Sequence, residues 1–288
     1  METRRFFIGL IKMNIDSHQH FWHFDPVRDT WIDGSMKTIQ RDFLPEDLKP
    51  ILETDNIQGC VAIQANQSLE ETEFLLGLTQ KHDFVRAVVG WIDLQADDIS
   101  DQLGKLKDRP KMAGFRHVVQ TERDDNFVLK PNFQRGIKAL GDFNFTYDLL
   151  VFSHQLPASI TLTQNFPNQP FVLDHLAKPQ IKNGKVNDWK RDIRKLAAQS
   201  NVYCKVSGIV TEADWKNWTY EEIVPYLDIT FEAFGTERIM FGSDWPICLV
   251  AAEYNEVKQV ISRYISSFTE SEKKKIMGGN ARKFYKIK

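Results

Sequence analysis

The sequence predicts an α/β fold, a single distorted (β/α)8 TIM barrel, from three observations. Eight short apolar runs recur along the 288 residues. Most of these runs are almost continuously apolar, which is typical of strands buried on both faces of a parallel sheet. Between most of them lie segments whose apolar residues are three or four apart, as on an amphipathic helix. This alternation predicts the barrel, and a doubly wound open sheet is the alternative.

The predicted strands are apolar runs, and polar residues lie at or just beyond their C-terminal ends. In chain order they are Met13–Asp16, Cys60–Gln64, Arg86–Ile92, Ala113–His117, Tyr147–Val151, Phe171–Asp174, Val202–Val206 and Arg238–Phe241. Residues 1–12 precede the first strand and are predicted as an N-terminal extension, so the barrel domain is placed at residues 13–288. Met13 could equally be the true start.

Helical patterns occupy the intervals between these strands. Leu44–Asp47 opens one helix with a proline and acidic residues in its first turn, and Ser68–Glu71 opens another with a capping-box pattern. Further helices are predicted at residues 98–106, 132–140, 188–198 and 220–234. No glycine-rich phosphate-binding motif follows the first strand, and no P-loop motif occurs, which argues against nucleotide binding.

The composition predicts a folded globular domain without a polyanionic partner. Hydrophobic residues make up 42% of the chain and charged residues 26%, and the formal net charge is -2. These values are close to the averages of soluble domains and give no reason to expect a nucleic acid or an anionic membrane as partner. No apolar run approaches the ~20 residues of a membrane span.

The cysteines are sparse and odd in number, namely Cys60, Cys204 and Cys248. This pattern argues against a disulfide framework and against a cysteine-based zinc site. It fits a reducing compartment, and we expect a cytoplasmic protein.

Histidines cluster at the predicted strand ends, where the chemistry of a (β/α)8 barrel takes place. Five of the seven histidines fall there. His18 and His20 are two residues apart on one strand, so their side chains should share a face and could bind a metal or hold a polarised carbonyl. His154 and His175 follow the fifth and sixth strands and are further catalytic candidates.

Two charged residues at strand ends complete the predicted catalytic set. Asp244 follows the eighth strand, where a carboxylate can act as a general base toward water, although an aspartate before Pro246 could also cap a helix. Arg116 in the fourth strand needs an anionic partner, which could be structural or a substrate oxygen. The neighbours His117 and Asp174 are predicted to face away from the site, toward the helical layer.

Candidate substrate-binding residues also fall at these ends. Sugar rings pack against indole faces, so the tryptophans favour a carbohydrate-like substrate, with ordinary loop packing as the alternative for each. The candidates are Trp22, Trp91, Trp245, Gln64 and Lys178. Loops 25–36 and 209–218, which contain Trp31, Trp215 and Trp218, are predicted to determine which substrate is accepted.

Four segments resemble the amidohydrolase superfamily in its amidohydrolase-2 branch. They are Met13–Trp22, Phe171–Pro179, Met240–Pro246 and Gly279–Tyr285. The resemblance extends from about residue 13 to the C-terminus. Within the branch the chain is most similar to sugar-acid lactonases of the L-fuconolactonase and L-rhamnonolactonase type.

The resemblance implies a distorted barrel that hydrolyses a cyclic ester, with His18, His20, His175 and Asp244 as site residues. Many members place a lysine or glutamate after strand four to bridge two metals, whereas this chain has Arg116, which cannot ligate a metal. A binuclear site is therefore not expected. Two versions stay open: one Zn²⁺ on His18, His20 and Asp244, or no metal, with the histidines and Arg116 taking the electrophile's role.

We predict a lactonase whose partner is a small-molecule lactone of a deoxy-sugar acid. Asp244 would take a proton from water, and His175 and Arg116, with His18 and His20 or a metal, would stabilise the oxyanion. A metal-dependent decarboxylase or amide hydrolase of the same superfamily is the alternative. A non-catalytic sugar-acid binding protein is the alternative from another class, and the oligomeric state is open.

Overall fold

Eight parallel strands form one sheet in chain order in the computed structural model, which describes residues 13–288. The strands are Ile15–Gln19 (β1), Gly59–Ile63 (β2), Val85–Gly90 (β3), Met112–His117 (β4), Thr146–Leu149 (β5), Phe171–Leu173 (β6), Val202–Val206 (β7) and Ile239–Phe241 (β8). The predicted barrel is confirmed, and each strand falls on one of the eight apolar runs. The predicted N-terminal extension, residues 1–12, lies outside the described residues.

A helix follows each strand and packs around the sheet. The helices are Pro45–Thr54 (α1), Leu69–Lys81 (α2), Ile99–Leu106 (α3), Pro131–Asp142 (α4), Leu156–Asn165 (α5), Asn187–Ala197 (α6), Tyr220–Phe234 (α7), Tyr254–Tyr264 (α8), Glu270–Lys274 (α9) and Asn280–Phe284 (α10). The sequence did not predict α5, α8 or α10. None of the helices in the described part of the chain has both the length and the apolar character that crossing a bilayer requires.

The barrel closes between β8 and β1 through backbone contacts just beyond the C-terminal end of β8. Gln19 pairs with Trp245 in a parallel bridge, and the His20 amide donates to the Trp245 carbonyl at 2.7 Å. The Asp244 amide donates to the His18 carbonyl at 2.8 Å. These bonds bring the predicted site residues of the first and last strands side by side.

The barrel interior away from these strand ends is filled with apolar side chains. They form one buried cluster of Ile15, Val61, Ile63, Ala87, Val89, Val172, Met240, Ala281, Phe284, Tyr285 and Ile287. The last four come from the C-terminal segment, and the Asn280 amide anchors this segment to the carbonyls of Thr236 and Ile239. Because the described residues fill this end, we expect the site at the C-terminal ends of the strands, where barrels of this class carry it.

The capping box predicted at α2 is half formed. The Ser68 hydroxyl accepts from the Glu71 amide at 3.1 Å, but the Glu71 carboxylate accepts from the amides of Ala65 and Asn66 instead of returning to Ser68. Burial raises the pKa of Glu71 to about 7. Through its two hydrogen bonds to Ala65 and Asn66, the Glu71 carboxylate holds the loop after β2 in place. Residues of this loop line a cavity at the C-terminal ends of the strands.

Candidate active site

A cavity of about 430 Å³ opens at the C-terminal ends of the strands. His20, Arg116, His175 and Asp244 line it, and all four are at least 95% buried. The loops around them contribute further lining residues, which include Arg28, Asp29, Trp31, Met36, Asn66, Gln67, Gln120, Thr121, Lys178, Thr211, Glu212, Trp215, Ile247 and Val250. A cavity of this size accommodates a small molecule.

Three imidazoles face one carboxylate oxygen. Asp244 Oδ1 lies 3.5 Å from His20 Nε2, 3.7 Å from His18 Nε2 and 3.8 Å from His175 Nε2. Among the described residues this oxygen has no hydrogen-bond partner although it is buried. A buried acceptor without a partner is costly in a folded protein, so the oxygen is available to a ligand, a metal or water.

Two of these side chains, those of His175 and Asp244, belong to residues with a left-handed backbone conformation. Strand β6 ends at Leu173, and His175 has a φ of 51°, while Asp244 beyond β8 has a φ of 60°. Gly208 also has a positive φ, and a Cβ there would lie 2.5 Å from His175 Nδ1. The glycine therefore leaves room for the imidazole, whose Nδ1 lies 2.9 Å from the Ser207 hydroxyl.

A network of buried charges lies behind His18. Lys205 Nζ is 2.5 Å from Asp148 Oδ2, 2.9 Å from Asp174 Oδ1 and 3.2 Å from His18 Nδ1. The Tyr285 hydroxyl donates to the same Asp148 oxygen at 2.8 Å. All of these side chains are buried. The network fixes the position of His18 from the side away from the cavity.

Arg116 joins this network to the cavity. Its Nη1 donates to Asp174 Oδ2 at 3.0 Å and lies 3.3 Å from His18 Nε2, while its Nε donates to Gln64 Oε1 at 2.8 Å. Nη2 donates to the Gln64 carbonyl. Burial alone would raise the pKa of Asp174, but Lys205, His18 and Arg116 outweigh it and hold that pKa well below its usual range.

Burial also sets the charge state of the cluster. It lowers the pKa of His18 and His20, and it lowers the pKa of His175 to about 4. Burial would raise the pKa of Asp244, but the facing imidazoles, His175 first, hold it below its ordinary value. At neutral pH the site therefore consists of an ionised carboxylate among neutral imidazoles. Such a carboxylate can take a proton from water, and such imidazoles can ligate a metal.

The donor atoms of His18, His20 and Asp244 fit one zinc ion. Their separations of 3.2, 3.5 and 3.7 Å are close to the edge of about 3.3 Å that follows from tetrahedral bonds of about 2.0 Å. His20 Nδ1 lies 2.9 Å from the Ile63 carbonyl, a contact that orients the ring and leaves Nε2 for a metal. A second donor group, His18 with Asp174 and His175, is less suitable because Arg116 and Lys205 already contact Asp174.

Replacing His20 with asparagine is expected to lower the affinity for zinc by more than about 100-fold, because one of three protein ligands is lost. Zinc content after dialysis, measured by elemental analysis, tests this. His154→Asn is the matched control, because His154 is an exposed histidine outside the cavity. Equal zinc retention by His20→Asn and the wild type would show that the ion binds elsewhere.

The structure brings together six of the residues predicted from the sequence. His20, Arg116, His175, Asp244 and Lys178 line the cavity, and His18 lies directly behind them. His117 faces outward as predicted and stacks on Phe127 with ring centroids 4.9 Å apart.

Other predicted residues do not reach the cavity lining. The side chain of His154 is 60% exposed and pairs with Asp125 on the surface, because β5 ends at Leu149 and the following turn carries His154 outward. Gln64 is buried beneath Arg116 and supports its guanidinium. Neither residue touches the cavity.

The predicted substrate-binding tryptophans at strand ends are packing residues in the structure. Trp22 and Trp245 both pack edge-on against Phe43, and both are buried. The Trp91 indole donates to His117 Nδ1 at 3.4 Å on the outer side of the barrel. The tryptophans that line the cavity are Trp31 and Trp215 from the loops.

The prediction that Asp174 faces the helical layer is wrong. Strand alternation turns Val172 inward and therefore Asp174 as well, and His175 reaches the site only through its left-handed backbone. The roles of Lys205, Asp148 and Glu212 were not predicted from the sequence. The signal for Lys205 was its position in a buried strand, where a lysine needs carboxylate partners.

The barrel and the site define the class of the protein. A family model described as amidohydrolase matches residues 15–287, and the chain therefore belongs to the amidohydrolase family of hydrolytic enzymes. It is 37% identical over 286 residues to the L-fucono-1,5-lactonase of Burkholderia multivorans, with 96% of each chain covered. It is 33% identical over 280 residues to the L-fucono-1,5-lactonase of Burkholderia ambifaria, with 95% of each chain covered.

A solved structure shares the architecture closely. A crystal structure of an amidohydrolase from Burkholderia multivorans with bound zinc has a TM-score of 0.93 and 37% identity to this chain. The alignment covers 96% of this chain and 100% of that one.

Proposed function

We propose that the protein hydrolyses a sugar-acid lactone, with L-fucono-1,5-lactone as the leading candidate and L-rhamnonolactone as the next. The observation that carries this proposal is similarity to two L-fucono-1,5-lactonases over nearly the whole chain. The proposed partner is thus a small, neutral, polyhydroxylated molecule.

The charges around the cavity support a neutral substrate. Each cation that lines it already lies against a carboxylate: Arg28 against Asp29 at 2.7 Å, Arg116 against Asp174 at 3.0 Å, and Lys178 against Glu212 at 3.7 Å. A dicarboxylate substrate would need cations whose charge is not already neutralised. A lactone needs only hydrogen-bond donors and acceptors.

In the proposed mechanism Asp244 removes a proton from water, and the water oxygen forms a bond to the lactone carbonyl carbon. Arg116 and His175 stabilise the oxyanion of the tetrahedral intermediate, which is usually the largest contribution to rate in such reactions. The bond to the ring oxygen then breaks, and Asp244 returns its proton to that oxygen. The product is the open-chain hydroxy acid.

Zinc on His18, His20 and Asp244 would act as a Lewis acid toward the carbonyl and lower the pKa of water. The remaining steps depend on the side chains of this chain. Arg116 and His175 hold the carbonyl oxygen, Asp244 moves the proton, and the buried network behind His18 keeps the imidazoles in place.

The test is hydrolysis of a panel of 1,4- and 1,5-aldonolactones, followed with a pH indicator, with and without a chelator. We expect turnover of L-fucono- or L-rhamnonolactone. We expect none of 2-pyrone-4,6-dicarboxylate, a lactone that carries two carboxylates. Loss on chelation with recovery on adding Zn²⁺ would make the metal part of the reaction. Activity that survives chelation would leave the electrophile's role to Arg116 and the histidines.

Two outcomes would contradict the proposal. If no lactone is consumed while zinc is retained, a decarboxylase or amide hydrolase becomes the better assignment. If lactones bind without being consumed, the protein is a binding protein.

We also propose a cytoplasmic location. The three cysteines are free and buried, which fits a reducing compartment.

A further inference from the structure

Lys178 and Glu212 face each other across one wall of the cavity. Lys178 lies in the loop after β6, and Glu212 lies in the turn Val210–Glu212 after β7. The ammonium and the carboxylate are 3.7 Å apart, and each side chain is 21% exposed. Both line the cavity.

Each of the two groups has hydrogen-bonding capacity to spare. Within residues 13–288 the only polar contact of either group is with the other, at a separation longer than a good hydrogen bond. An ammonium has three donors, and a carboxylate has about four acceptor positions. Since both residues line the cavity and both side chains are partly exposed, unused positions are available to a ligand.

The backbone on both sides of the pair is held in place. The Ser153 hydroxyl lies 2.9 Å from the Ala177 carbonyl and 3.1 Å from the Lys178 carbonyl. On the other loop the Trp215 indole donates to the Thr211 carbonyl at 2.8 Å. Two charged groups on fixed loops can distinguish ligands by the positions of their polar atoms.

The pair lies close along the chain to residues that hold His175. Lys178 ends the left-handed segment that begins at His175. Glu212 follows β7, and Ser207, directly after that strand, contacts the His175 imidazole. A carbonyl carbon attacked by water at Asp244 must lie beside His175. If the first two carbons after the carbonyl carbon extend from His175 toward the loop of Lys178, their hydroxyls meet the pair.

We propose that Lys178 and Glu212 form a specificity-determining pair that binds two neighbouring hydroxyls beside the lactone carbonyl. Glu212 accepts from one hydroxyl, and Lys178 donates to the oxygen of the next. The inference rests on the proposed lactone hydrolysis. It adds that the enzyme recognises its substrate by these two hydroxyls.

The experiment measures kcat and KM of Glu212→Ala and Lys178→Ala on L-fucono-1,5-lactone and on its 2-deoxy and 3-deoxy analogues. With the natural lactone we expect kcat/KM to fall by about 10–100-fold, mainly through KM, the usual effect of losing a hydrogen bond to a charged group. With the analogue that lacks the matching hydroxyl the loss should be at most about threefold, because that bond is already absent. Glu212→Gln should retain part of the activity, since an amide oxygen still accepts.

Lys182→Ala is the matched control. Lys182 forms an ion pair of 3.0 Å with Asp214 between the same two loops, but outside the cavity lining. It should leave all the kinetic constants unchanged. Equal losses on all three lactones, or similar losses in the control, would overturn the pair's role in specificity.

The two proposals can fail separately. Wild-type enzyme that hydrolyses lactones while the Glu212 and Lys178 variants do not discriminate would overturn only the specificity pair. Wild-type enzyme that hydrolyses no lactone would overturn the proposed function and this inference with it.

Discussion

Asp244→Asn is expected to lower kcat by about 10²–10⁴-fold, the contribution typical of a general base. Asparagine has the same size and tolerates the left-handed backbone at this position, where φ is 60°. The backbone bond from residue 244 to the His18 carbonyl should persist. The effect should therefore fall on the reaction and not on the fold, and circular dichroism alongside the lactone assay checks both.

Asp93→Asn makes the same change just beyond another strand of the barrel, β3. Asp93 is exposed, lies outside the cavity lining and accepts from the Gln95 amide, as asparagine also can. We expect wild-type kinetics from this control. An Asp244→Asn variant that retains the wild-type kcat would contradict the assignment of Asp244 as the general base, whatever the zinc content of the variant.

Lys205→Met is expected to lower the free energy of unfolding by about 3–5 kcal/mol, because it leaves buried carboxylates without their ammonium partner. Lys205, Asp148 and Asp174 are all fully buried. Methionine fills a volume similar to that of lysine. The loss of stability therefore comes mainly from removing the ammonium charge and less from changed packing. Urea unfolding followed by tryptophan fluorescence measures the effect.

Two further variants test whether the lost stability comes from the unpaired buried carboxylates and not from the change in side-chain volume. Adding Asp148→Asn to Lys205→Met should restore at least about 1 kcal/mol, because one unpaired carboxylate is removed. Lys138→Met breaks an ion pair whose side chains are 69% and 61% exposed, and it should cost about 0.5 kcal/mol or less. If Lys205→Met matched Lys138→Met, the buried network would not be a major source of stability.

The fold was predictable because its signal is local and repeated. Each apolar run marks a strand that is buried on both faces, and eight of them alternate with helices. Two of the helices that were not predicted have identifiable physical features that explain this. α5 begins with Leu156 and Pro157 directly after a short turn and has a weak polar face, and α8 has a glutamate cap rather than one of the usual capping residues.

The candidate site was predictable in part for the same reason. His18, His20, Arg116 and Asp244 were identified because they lie at or just beyond strand ends, and such ends converge in any barrel of this class. His154 and the strand-end tryptophans share that position, yet they point outward or into packed loops. Position along the chain indicates the end of the barrel but not the direction of a side chain once the strand has ended.

The sequence by itself determined the barrel, the family resemblance and the histidines and aspartate at its mouth, because these depend on local patterns. Only the tertiary structure decided that Asp174 faces inward, that Lys205 lies between two carboxylates, and that Glu212 meets Lys178. These contacts join residues on different strands and loops. Their geometry depends on barrel closure and on left-handed backbone at single residues such as His175. Neither of these produces a periodic pattern in the sequence.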